Sequence, residues 1–302
     1  MAYRKYTFIV ALVTFIILGD WIVGGFLEAG FYSEQSLEND RVVHSFSATE
    51  ADLPVFGSSR ALHHYNTELI QDSLNITSYN VGAGGQNIYY HNLLLKTVLS
   101  RYTPKTIILD LFNIDFEETV STWNKERLAV LLPLSAEHKI IDSAFRTFDP
   151  NHKFKMFSHT YPFNSEIYRI VRNNFIPYHN SFNGFMPIGA ENGLAESSQP
   201  VETKTSGSLD SSKVAEMESF INDCLNEGID LKLIVSPSFF LYEKGDSYEQ
   251  FISYLNNEFP VEIYSFQNDP FFVDHPELFK DANHLNAKGA DVFTERVLSL
   301  IK

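Results

Sequence analysis

Cysteine is nearly absent: Cys224 stands alone among 302 residues. One thiol excludes an internal disulfide and any zinc site built on paired cysteines. Its surroundings, Ile221-Asn222-Asp223-Cys224-Leu225, are helical in character and acidic, which disfavours a thiolate, so Cys224 is expected to be a packed thiol and not a nucleophile. Positive charge is also scarce, with 23 Lys and Arg against 38 Asp and Glu and a formal net charge of -15. A surface of that sign repels phosphate backbones and excludes nucleic acid as a partner. It also disfavours adhesion of the whole chain to anionic lipid by charge, so membrane attachment should come from hydrophobic insertion. The spacing of a dinucleotide fingerprint is missing. His138, His152, His159 and His179 lack the i, i+4 spacing of a helical metal site, so neither a metal nor a cofactor is expected.

What is present describes a folded chain. Apolar residues make up 44% and aromatics 14%, and the length allows one large domain or two small ones. Residues 6–27 (YTFIVALVTFIILGDWIVGGFL) are apolar except for Asp20 and long enough to cross a bilayer, which takes about 20 residues. Arg4 and Lys5 precede the run, which places the N-terminus in the cytoplasm and the rest of the chain outside, in the periplasm or at the cell surface. Phe26-Leu27-Glu28-Ala29-Gly30 is a poor cleavage site, and the apolar run exceeds that of a signal peptide, so the segment reads as an uncleaved anchor. Asp20 falls about two thirds of the way along it. Either the carboxylate faces a partner helix or polar cavity, or Asp20 and Trp21 reach the outer interface. The second is the simpler reading.

The expected organisation is an anchor with its cytoplasmic tip over 1–28, a polar tether over 29–50, and one domain over 51–302. Strands are predicted at 52–57, 76–82, 106–112, 231–237 and 261–266. Helices follow with their own signals: Asn66 or Thr67 as a cap after the first strand, apolar helical spacing over 87–102, a start at 206–213 that runs to about Asn226 and stops at Gly228, a helix near 247–257, and an amphipathic helix over 287–301. This alternation implies a three-layer α/β fold, a parallel sheet with helices on both faces. Residues 118–208 break the rhythm and read as an irregular insertion, with helix near 125–147 and then long loops. Its aromatics, among them Phe154, Phe157, Tyr161, Phe163, Tyr168, Phe175, Tyr178, Phe182 and Phe185, form a stacking cleft, a partner surface or a secondary core.

Three segments just past predicted strands carry candidate chemistry, where open α/β sheets place their sites. Gly57-Ser58-Ser59 puts a hydroxyl at a strand end; such turns are most often only turns. Asn80-Val81-Gly82-Ala83-Gly84-Gly85 exposes backbone N–H groups that can bind an anion. Asp281-Ala282-Asn283-His284 sets a carboxylate three residues before a histidine, where it can orient the ring; alternatively Asp281 or Asn286 only caps the next helix. The Gly-x-Ser-x-Gly elbow of α/β-hydrolases is absent around Ser59. His63 and His64 either line the same site or sit exposed at a helix start, and His91 is packed or solvated on a helix.

In this order the segments resemble the SGNH (GDSL-like) hydrolase superfamily, over about residues 52–117 and 228–302. The resemblance implies a flavodoxin-like three-layer fold and a serine-dependent acyl hydrolase or acyltransferase. Gly57-Ser58-Ser59 matches the family's Gly-Asp-Ser turn with Ser59 as nucleophile, although Ser58 replaces the aspartate. Asn80, Gly82 and Gly85 match Asn-x-Gly-x-x-Gly, which gives Gly85 an oxyanion N–H beside that of Ser59. The third block, Gly-x-Asn-Asp, is met only by Asn113 in Leu111-Phe112-Asn113-Ile114-Asp115, without its glycine; Asn113 would be the third oxyanion donor. Asp281 and His284 match Asp-x-x-His. With the membrane anchor and the Asp-x-x-His-Leu-Asn-x-x-Gly-Ala stretch, the chain also resembles the D-alanine transfer proteins of teichoic-acid modification and, more loosely, the SGNH-like proteins of alginate O-acetylation. These imply an acylated envelope glycan or polymer as substrate and a membrane-bound O-acyltransferase as partner. A non-catalytic assembly module on the same fold is the alternative, and a lipase is a weaker third, since no lid or lipid groove is marked.

Overall fold

The computed structural model describes residues 2–33, 37–112, 116–118, 126–175, 182–189, 193–203, 208–242 and 247–301. The chain forms two compact units, Met1–Val43 with Lys125–His179, and His44–Asn124 with Asn180–Lys302.

The second unit is built on five parallel strands: β1 (Leu53–Phe56), β2 (Ser78–Asn80), β3 (Thr106–Asp110), β5 (Asp230–Val235) and β7 (Glu262–Ser265), in the order β2-β1-β3-β5-β7. β4 (Val201–Thr203) and β6 (Phe240–Tyr242) make a separate parallel pair. The inner strands β1 and β3 are almost wholly buried, as their unbroken apolar runs require, while β7 at the edge is half-exposed. Alternation along β1 sends Val55 into the core with Ile108, Phe293 and Val297, and Phe56 the other way onto Phe220 at 5.5 Å. Helices therefore cover both faces. α3 (Ser59–His64), α4 (Thr67–Leu74) and α12 (Ala287–Leu300) pack together, as do α5 (Ile88–Leu99) and α9 (Ser211–Asn226), while α10 (Ser247–Glu258) and α11 (Pro270–Val273) lie between α9 and α12 in the chain. Caps fix their starts: Asn66 accepts from Glu68 and Leu69 N–H, and Asn286 from Gly289 N–H at 3.0 Å. Numbered within the main sheet, the order is 2-1-3-4-5, whose chain reverses direction between β1 and β3.

His91 of α5 is 3% exposed, and neither ring nitrogen makes a hydrogen bond among the described residues. Burial pulls its pKa to about 3. In the unfolded chain this ring takes a proton below about pH 6.5. The native state refuses it, so stability falls as the pH drops from there towards about 3. The slope from this one group is about 1.4 kcal/mol per pH unit. Denaturation curves collected from pH 6 to pH 4 in detergent should lose that much of their acid slope in His91→Leu; an unchanged slope would mean that the ring is protonated in the fold. Cys224 is buried as expected, and burial pushes its thiol pKa up.

The first unit begins with α1 (Ala2–Tyr32), long and apolar enough to cross a membrane, and exposed all round over residues 3–18. Beyond that, one stripe of it is covered. Asp20 accepts from Ser158 Oγ and His159 N–H, each at 2.7 Å, and from Thr160 N–H at 3.2 Å. Gly24 lies against the His159 backbone, where a Cβ would come within 2.5 Å. Phe31 is buried and 5.9 Å from Phe163. These positions recur at helical spacing on one face. Asp20 thus serves a polar loop of its own chain.

The insertion is more regular than expected. After a 3₁₀ stretch, Arg127–Ala136, come α6 (Lys139–Phe148), α7 (His152–Lys155) and α8 (Ile167–Phe175). Residues 29–50, expected as a tether, are likewise helical for most of their described length: α1 continues to Tyr32, and α2 spans Leu37–Ser47. Among the insertion aromatics, Phe163 and Phe185 are buried, whereas Phe154, Phe157, Tyr168 and Phe175 are exposed. Tyr178 and His179 lie outside the described residues.

Candidate active site

The reversal between β1 and β3 is where an open α/β sheet binds its ligand, beyond the carboxyl ends of the strands. Gly57 follows β1 there with φ +136°. A Cβ at Gly57 would meet Ala61 Cβ at 2.8 Å and Asp110 Cβ at 2.9 Å, so the turn needs glycine on both counts. It delivers Ser58 and Ser59 to opposite fates. Ser58 is buried, and its hydroxyl has no partner among the described residues. Ser59 opens α3 with its Oγ 2.8 Å from His284 Nε2.

The histidine comes from the loop before α12. Phe279 and Leu285 bridge across that loop, and Lys280 N–H donates to the His284 carbonyl at 2.7 Å. Inside it, Asp281 Oδ1 accepts from Asn283 N–H at 2.8 Å and His284 N–H at 3.0 Å. Both carboxylate oxygens lie 3.0 Å from His284 Nδ1. A carboxylate only accepts, so Nδ1 carries the proton and Nε2 turns its lone pair to the Ser59 hydroxyl. Partial burial pushes the Asp281 pKa up. Hydrogen bonds from the His284 ring and the Asn283 N–H outweigh this and hold it below the usual carboxylate value. Asn286, not Asp281, caps α12.

The glycine loop borders the same serine. A Cβ on Gly84 would stand 3.9 Å from Ser59 Cβ. Ala83 N–H donates to the Gly57 carbonyl at 2.9 Å, which ties the loop to the serine turn. Asn80 anchors it from below: its side-chain NH₂ donates to the Ala61 carbonyl at 2.8 Å, and its Oδ1 accepts from Gly82 N–H at 3.0 Å. Gly85 takes φ +71°, a left-handed conformation natural to glycine. Asn113 lies outside the described residues.

Two further histidines belong to this region, and an exposed helix start is not their setting. His64 is fully buried. Its Nε2 accepts from Leu285 N–H at 3.0 Å, so its Nδ1–H donates to Ser236 Oγ at 3.1 Å. Burial, then the charges of Arg60 and His284, push its pKa well below the ordinary value. A neutral ring of fixed tautomer thus holds the peptide that follows His284. His63 is half-buried; its Nδ1–H donates to the Met186 carbonyl at 2.7 Å, and its ring meets that of His284 edge-on at 5.6 Å. The signal was a helical repeat, since His63 stands four residues after Ser59 and shares its side of α3.

Beneath the serine turn is a buried polar cluster that the sequence did not reveal. Arg60 donates from Nε to Ser236 Oγ at 3.0 Å and contacts the Ser236 carbonyl through Nη2. It faces Asp110 Oδ2 at 3.8 Å. Asp110 Oδ1 accepts from Tyr65 Oη at 2.9 Å and Ser236 N–H at 3.0 Å. Burial raises the Asp110 pKa, and the Arg60 charge opposes the rise. Among the described residues no three His, Cys, Asp or Glu side chains converge as a metal-binding set.

No protein-family model matches the chain, and no curated protein does. Among solved structures, the crystal structure of an acetyl xylan esterase, AlAXEase, is similar at 14% identity and a TM-score of 0.28, over 83% of this chain and all of that one. A likeness at that level carries no weight for the site, whose reading rests on its own geometry.

Proposed function

We propose that this protein is a serine-dependent acyl esterase or O-acyltransferase, anchored by α1 in the cytoplasmic membrane with its catalytic unit outside, and acting on an acylated envelope glycan or polymer. The observation that carries the chemistry is the unbroken relay from Ser59 Oγ through His284 to Asp281, at 2.8 and 3.0 Å, at the reversal point of the sheet. A serine hydroxyl is a weak nucleophile until a base removes its proton. Here the lone pair of His284 Nε2 accepts that proton as Ser59 Oγ bonds to the acyl carbon. The tetrahedral oxyanion is met by the backbone N–H of Ser59 and, by the family resemblance, of Gly85, with Asn113 as the third donor. The imidazolium returns the proton to the departing alkoxide, and an acyl-serine remains. Water or a sugar hydroxyl then attacks by the same steps in reverse, with His284 again the base. The choice of acceptor separates hydrolysis from transfer. A membrane-bound O-acyltransferase is the partner suited to supply or take the acyl group.

Turnover of a small activated acetyl ester, p-nitrophenyl acetate, tests this reading. Asp281→Asn keeps the shape but no longer requires a proton on Nδ1. We expect kcat/KM to fall by about 10²–10⁴, as loss of the correct tautomer does in a serine triad. No turnover by the folded wild type, together with function retained in Ser59→Ala in the cell, would instead identify a non-catalytic assembly module.

A further inference from the structure

We propose that the segment over residues 152–157 forms a membrane-interface platform, seated on the leaflet where α1 emerges, with Phe154 and Phe157 inserted at the boundary between headgroups and acyl chains. The proposal rests on the reading of α1 as a membrane span.

Three observations carry it. First, two large aromatic side chains face outward side by side: Phe154 is 70% exposed and Phe157 76%, with their rings 6.5 Å apart. Apolar area gathered in this way marks a docking surface. Second, α1 sets the height of this surface. Ser158, the next residue after Phe157, donates to Asp20, and the His159 ring lies 5.3 Å from that of Trp21. From Tyr3 to Asp20 the helix rises about 26 Å at 1.5 Å per residue, close to the roughly 30 Å of a hydrocarbon core. Asp20 and its polar loop therefore stand at the outer boundary, and the aromatics beside that loop stand there too. Third, the local charge is reversed. Residues 126–175 hold seven Lys and Arg against five Asp and Glu, in a chain whose net charge is -15. Lys153 and Lys155 flank Phe154. Basic residues interleaved with outward aromatics are the composition of an interfacial element on anionic lipid. The lipid that surrounds residues 3–18 of α1 is continuous with this surface, and that continuity selects the bilayer over a soluble partner.

The test uses the full chain in vesicles of phosphatidylcholine and phosphatidylglycerol whose acyl chains carry bromine near the headgroup. The sequence has two tryptophans, Trp21 and Trp123. Trp123→Phe leaves Trp21 as the reporter of the span. Adding Trp21→Phe and Phe157→Trp moves the only indole to the platform. The proposal predicts quenching and a blue-shifted emission in both proteins. Quenching of Trp21 with unquenched, water-like emission from the Phe157→Trp indole would overturn the platform and leave the span intact. If neither indole is quenched, α1 does not span the bilayer and the platform falls with it.

Discussion

Under the proposed mechanism, Ser59→Ala will abolish turnover of acyl esters while the chain remains folded. Ser59 Oγ is the hydroxyl in contact with His284 Nε2, at 2.8 Å, and α3 begins at this residue without a side-chain cap. Alanine there removes the nucleophile and leaves the turn, which depends on Gly57. Loss of a triad serine costs up to about 10⁶ in kcat in a well-studied protease, and a fall of at least about 10⁴ is the expectation here on the same grounds. Ser58→Ala is the matched control. Its hydroxyl is buried and unpartnered among the described residues, so its removal should leave turnover close to wild type. Equal losses in both variants would point to damage to the turn in place of lost chemistry.

Asp110→Ala will have the largest effect on stability. It leaves the buried Arg60 guanidinium without a counter-charge and strips the acceptor from Tyr65 Oη and Ser236 N–H. Breaking a buried pair from one side costs about 3–5 kcal/mol, a large share of the roughly 5–15 kcal/mol that holds a domain folded. The cost lies in the stranded partners, so replacing them together should recover much of it. Arg60→Met with Tyr65→Phe and Asp110→Leu should therefore unfold at a higher denaturant concentration than Asp110→Ala alone. A shift below about 1 kcal/mol in Asp110→Ala would show that the cluster is not what secures the start of α3.

Much of the α/β unit was legible. β1 and β3 are buried on both faces and so read as unbroken apolar runs. Asn66 and Asn286 cap helices with the side chains that such positions favour. The order of the strands and the place of the site at their reversal are long-range facts without local signature. So is the cluster of Arg60, Asp110 and Ser236, three polar residues separated by up to 176 positions. Ser59 was set apart from Ser58 only by its place in the Gly-Asp-Ser resemblance; beyond the left-handed Gly57 it is Ser58 that is buried and Ser59 that meets His284. α2 was hidden because its composition is polar, and helical order there owes more to packing than to pattern. The helical structure near 125–147 was legible, whereas α7 and α8, short helices within 152–175, were read as loops. Asp20 was visible as an oddity, but its partners Ser158, His159 and Thr160 lie 138–140 residues away.

The activated serine is the centre of the account, and covalent labelling of the full-length chain with a fluorophosphonate probe tests it most directly. Wild type and Ser58→Ala should be labelled at one residue, Ser59, while Ser59→Ala and His284→Ala should remain unlabelled. A folded wild type that resists the probe, or label that survives in Ser59→Ala, would contradict the assignment.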